Sequence, residues 1–141
     1  MKLADAQTIV ATALALARQR EFKPLAVVVL DARGALRALA TEDGASLKRA
    51  EIAIGKAHGV LAMGVGSRRL ASMAVERPHF LAAAAHAVGG MLIPVPGGVL
   101  VKDRAGAVAG AVGVSGDTSD NDEIAALAGI EAAGLVADTG A

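Results

Sequence analysis

Apolar residues return every three or four positions at the start of the chain: Leu3, Ala6, Ile9, Val10, Ala13, Leu14 and Ala17. At 3.6 residues per turn such positions share one face, so the spacing predicts an amphipathic helix over residues 4–20. After Pro24 the period changes. "LAVVVL" at 25–30 has no polar member in either alternate set and reads as a strand buried on both faces. "DARG" puts Asp31 at the first and Gly34 at the last position of a type I turn, and residues 35–41 return as a second strand. The same device recurs as "DRAG" at 103–106, between "GVLV" and "AVAGAVGV". Two Asp-x-x-Gly hairpins supply four antiparallel strands, with a fifth expected near 91–93.

Between the hairpins the helical period resumes. Ser46 is the expected cap of a helix whose apolar stripe is Leu47, Ala50, Ile54, Ala57 and Leu61. Gly55 and Gly59 sit one turn apart inside it. Each costs about 1 kcal/mol against alanine, so another element is expected to pack closely there. A helix at about 67–76 stops before Pro78, and "PHFLAAAAHAVGG" forms a short third one ended by Gly89. Last, Ser119 is expected to cap "DNDEIAALAGIEAAG", with Asp120, Asp122 and Glu123 in its first turn and Gly134 beyond its end. The order α-β-β-α-α-α-β-β-α describes an α+β fold: a four- to five-stranded antiparallel sheet covered by helices. No stretch reads as a linker, so residues 1–141 read as a single domain.

Composition sharpens this picture. Hydrophobic residues make up 54% of 141 and aromatic residues 1%, so the core must be built from small, closely packed side chains. Lys+Arg and Asp+Glu number 14 each, with no basic run and neither Trp nor Tyr, which leaves no footprint for nucleic acid. A neutral surface is also permissive for self-association. The absence of cysteine removes disulfides, thiolate metal sites and cysteine nucleophiles. No run reaches the roughly 18 apolar residues of a membrane span. Asp5 and Gln7 interrupt the opening stretch, which reads as a helix rather than a leader, and a cytoplasmic location is expected.

Four segments, "VVVLDARGALRAL", "IAIGKA" at 52–57, "GGMLIPVPGGV" at 89–99 and "GAVAGAVGVSGDTSDND" at 106–122, together resemble the GlcG/HbpS family of haem-binding or haem-degrading domains. They are also similar to the C-terminal domain of PduO-type corrinoid proteins. The resemblance implies a profilin-like fold and a homo-oligomer built from dimers, up to an octamer. It further implies a small-molecule ligand, with a link to haem or a related tetrapyrrole as cofactor in some members and to small-carboxylate operons in others.

Several residues are candidates for holding such a ligand. Lys56 lies beside two glycines on a mostly apolar helix; it either forms a structural salt bridge or meets a ligand carboxylate, with Arg49 two turns earlier on about the same face. Pro96, Gly97 and Gly98 either shape a turn or clear space, with Gly97 expected to face the ligand and Gly98 to serve the fold. One face of "AVAGAVGV" is nearly featureless, which suits either a packed helix or a planar ligand. His58, His79 and His86 lack the spacing of a metal site, so no metal centre is expected; His79, next to Pro78 and Phe80, is the chosen axial candidate. Asp117 and Glu123 either cap a helix or act as acid/base beside a substrate anchored by Lys56. The leading reading is a small-molecule-binding protein for haem or a related tetrapyrrole. The alternative is an enzyme acting on a small carboxylate through Lys56 with Asp117 or Glu123.

Overall fold

The computed structural model describes residues 1–141. Its elements are α1 (Leu3–Gln19), β1 (Ala26–Asp31), β2 (Leu36–Thr41), α2 (Arg49–Met63), α3 (Ser67–Glu76), α4 (Pro78–Ala87), β3 (Gly98–Lys102), β4 (Val108–Ser115), α5 (Ser119–Ala132) and β5 (Val136–Asp138). The five strands form one antiparallel sheet in the order β2-β1-β4-β3-β5.

Each hairpin turn is closed twice. Gly34 N–H donates to the Asp31 carbonyl at 2.9 Å, and Asp31 Oδ1 accepts from the N–H groups of Arg33 and Ala35. Asp103 repeats every one of these bonds with Gly106, Ala105 and Ala107. Gly34 and Gly106 have φ of +83° and +88°, which explains the glycine at the end of both turns.

The sheet is sealed on both faces. Val27 and Val29 of β1 point toward α1 and α5, where Ala6, Ile9, Ala13, Ala125 and Ile130 join Val112 and Val114. Ala26, Val28 and Leu30 point the other way, toward Ala53, Ala57 and Val60 of α2. All six residues of β1 are buried, as its unbroken apolar run requires. Small side chains let the layers approach closely. A methyl at Gly113 would overlap the Ala53 carbonyl, and one at Gly129 would stand 2.5 Å from the Ile9 carbonyl oxygen.

Four expectations are corrected. The fifth strand is Val136–Asp138 on the outer edge of β3, and residues 91–95 form no strand. Pro94 and Pro96 lack the N–H groups that a ladder needs, and the segment packs against α2 instead. There Ile93 fills the notch at Gly55 and Leu92 the notch at Gly59. Helix α2 starts at Arg49 with Lys48 at its N-cap, so Ser46 caps nothing and Leu47 is 87% exposed. The helix is covered on two sides, by sheet and by the 92–93 segment, so a single stripe describes its burial poorly. Finally, the cap of α5 is Thr118, whose Oγ1 accepts the Asn121 N–H, rather than Ser119.

Candidate functional site

The featureless face of β4 is occupied by a helix. Ala53 and Ala57 of α2 lie against Gly113 and pack with Ala111, leaving no planar slot at that end of the strand. Where α2, β4 and α5 meet, Lys56 is buried. Its Nζ donates to the Val114 carbonyl at 2.9 Å and to Asp122 Oδ2 at 3.0 Å, with the two side chains 3% and 2% exposed. Asp122 Oδ1 accepts the Asp117 N–H. Burial pushes the Lys56 ammonium below its usual pKa range, while the Asp122 charge acts in the opposite sense. Burial likewise pushes the Asp122 carboxyl up, against the pull of Lys56.

Both glycines of "PGG" belong to this knot. Gly97 has φ +114°, and a Cβ there would stand 2.7 Å from the Val114 oxygen and 2.8 Å from Lys56 Nζ. A Cβ at Gly98 would meet the Lys56 carbonyl oxygen at 2.7 Å. Gly98 also exchanges two bonds with Ser67, whose Oγ accepts its N–H and donates to its carbonyl. So Gly97 faces the ion pair rather than a ligand space, and Gly98 lies against the α2 backbone. Pro96 sits half-buried in the turn that leads into them.

The acidic residues are engaged as well. Asp117 accepts from Lys23 N–H at 2.6 Å, Thr118 N–H and Asn121 Nδ2. These bonds, the Lys23 one first, hold its carboxyl below the usual range. Glu123 is buried and clasped by Arg68, which also reaches Asp120 at 2.6 Å. The catalytic set of Lys56 with Asp117 or Glu123 is therefore not assembled around a shared space. Each group spends its polar atoms on the fold, and no buried side-chain polar atom lacks a partner. Sequence reasoning missed Asp122, Ser67 and Arg68 as the partners. A buried lysine signals that a carboxylate must exist, but four acids in seven residues do not say which one turns inward.

Open space lies at the surface in three places. An apolar groove of about 170 Å³ runs between α3, α4 and the 92–94 segment, lined by Ala74, Pro78, Leu81, Ala85, Leu92 and Pro94. His79 and His86 are exposed and follow Pro78 and Ala85 directly, and exposed Phe80 stacks under the Arg77 guanidinium at 4.3 Å. The third candidate, His58, has Nδ1 2.9 Å from the Met91 carbonyl oxygen. No three His, Asp or Glu residues gather as metal ligands. A second cavity, about 190 Å³, lies at the start of α2 beside Arg49, Lys23 and Ser46. The third, about 470 Å³, is open and lined mostly by polar residues, Arg18, Thr41, Glu42 and Asp43, with Pro24. No helix is long and apolar enough to cross a membrane. Arg49 and Lys56, expected to grip one dianion, are divided: Arg49 reaches a cavity and Lys56 does not.

These features define an α+β domain whose single antiparallel sheet is sealed between helices and whose ligand-sized concavities are confined to its surface. The chain belongs to the family described as haem degrading protein HbpS-like, whose model matches residues 1–131. No curated protein matches it in sequence. Among solved structures, the PduOC–haem complex is 25% identical with TM-score 0.85, over 96% of each chain. Protein ORFY of Klebsiella pneumoniae is 24% identical with TM-score 0.86, over 95% of this chain and 90% of that one. A double mutant of Streptomyces reticuli HbpS is 23% identical with TM-score 0.80, over 93% and 85%. The last two likenesses bear on the fold.

Proposed function

We propose that the protein binds haem or a related tetrapyrrole, as a cytoplasmic homo-oligomer. The observation that carries this reading is the likeness, over 96% of both chains, to a protein solved with haem, within a family described as haem-degrading. The groove beside α4 suits such a ring better than any other surface of the chain. A tetrapyrrole needs apolar contact area and an axial donor, and this groove offers alanine, leucine and proline beside exposed His79 and His86. At about 170 Å³ it is smaller than the ~300 Å³ at which drug-sized ligand pockets begin. One copy can therefore cover only part of the ring, and a second copy would complete the enclosure. His79, exposed beside the groove, would hold the iron of such a group through an imidazole nitrogen.

Titration with hemin, followed at the Soret band, tests the reading. Saturable binding with one ring per site, weakened and spectrally shifted by His79→Ala, is the expected result. Non-saturating, aggregate-like absorbance would remove it. A shift seen only with His86→Ala would move the axial role to His86.

A further inference from the structure

The cavity at the start of α2 takes no part in the tetrapyrrole reading, and its electrostatics are unbalanced. Arg49 is half-buried there. Its Nε donates to Ser46 Oγ at 3.1 Å and its Nη1 to Ser115 Oγ at 3.2 Å. These two hydroxyls fix the guanidinium plane, yet they use only part of its five N–H donors and none of its charge. No carboxylate lies within salt-bridge distance of Arg49, whereas Arg18 meets Glu42 and Arg68 meets Asp120 and Glu123. Lys23 lines the same cavity, and its ammonium also has no carboxylate partner.

The lining contains no acid; Asp43, next to Gly44, is exposed outside it, and two other nearby acids are engaged elsewhere. Asp117 is filled by three donors, one of them the Lys23 backbone N–H rather than its ammonium. Glu42, on the adjoining turn, pairs with Arg18 and accepts the Leu25 N–H. Two cations thus share a concavity whose lining contains no acidic residue. A fork of guanidinium donors held in place by neutral hydroxyls fits the two oxygens of an oxyanion, and a second cation beside it raises the attraction.

We propose that this cavity binds a small oxyanion, a carboxylate or phosphate group, forked by Arg49 and charge-matched by Lys23. Its volume of about 190 Å³ admits a small acid whole, or one acidic arm of a larger ligand. The site does not depend on the tetrapyrrole reading.

The test is an amide-shift NMR titration of the full chain with acetate and, separately, inorganic phosphate. Saturable shifts are expected at Ala45 and Gly116, which line the cavity. Arg49→Gln should weaken binding about tenfold or more, and Lys23→Gln by a smaller factor that shrinks with added salt. Lys23 is exposed, and its replacement leaves the backbone bond to Asp117 intact, so that variant remains decisive if Arg49→Gln folds poorly. Hemin that displaces acetate, while its dimethyl ester does not, would identify the oxyanion as a tetrapyrrole carboxylate. Acetate or phosphate bound undisturbed by hemin would identify a free small acid. Absence of saturable shifts at the cavity in tens of millimolar anion, or unchanged affinity in both variants, would overturn the proposal.

Discussion

Replacing Lys56 by methionine isolates what the buried ion pair contributes. At 3.0 Å, with an effective dielectric of about 20, the attraction to Asp122 is of order 5 kcal/mol. Burying each ion costs several kcal/mol, so the intact pair contributes little net stability. Removing one partner is different. Lys56→Met keeps the apolar stem but leaves the Asp122 carboxylate buried with only the Asp117 N–H, and strips the Val114 carbonyl of a donor. The expected loss is about 3–5 kcal/mol, read from urea unfolding at fixed protein concentration. Asp122→Ala should cost a similar amount, and the double variant should cost clearly less than the two losses added together. The deficit should also depend on pH. Burial already raises the Asp122 pKa, and loss of Lys56 raises it further. A group whose folded pKa lies above its unfolded value supports the fold below the unfolded value and ceases to as pH rises through the folded one. Lys56→Met should therefore be closest to wild type in mild acid and weakest at neutral pH. A loss under about 1 kcal/mol, or strict additivity in the double variant, would refute the description of a coupled buried pair.

The glycines of the core give sharper steric outcomes. Gly113→Ala should push α2 off the sheet and cost at least about 2 kcal/mol in thermal or urea melts, because its methyl meets the Ala53 carbonyl. Gly97→Ala and Gly98→Ala should both destabilise. Gly97 suffers more, since a positive φ adds about 1–3 kcal/mol of backbone strain to the contact with Lys56. Asp117→Ala should lower the melting temperature at neutral pH and converge with wild type in acid. Its folded carboxyl lies below the usual range, so its contribution exists above the unfolded pKa and is lost as pH falls through the folded one. Leu47→Ser should leave the melting temperature unchanged, which checks that the predicted apolar stripe overstated its first member.

Local chemistry was legible in the sequence. An Asp-x-x-Gly turn closes locally through bonds spanning two to four positions, so both hairpins follow from their four letters. The unbroken apolar run of β1 could only lie between two covered faces, and proline and glycine marked the helix ends. The family segments carried the fold further than periodicity could. Long-range pairing was not legible. Nothing in "IAIGKA" distinguishes a lysine that meets a ligand from one that meets Asp122, 66 positions away. That choice was made by α2 and α5 packing on opposite faces of the sheet around its β3–β4 end, where Gly97 leaves room for the side chain to pass. The same holds for β5, whose short, partly polar strand is defined by its partner β3, and for Gly55 and Gly59, whose notches are filled by residues 92–93. Arg49 shows the converse: its residue type suggested an anion, but only the fold set it beside Lys23 in a cavity whose lining holds no carboxylate. Short-range bonds are written in adjacent letters, whereas desolvation and charge pairing depend on which distant groups the packed layers bring together.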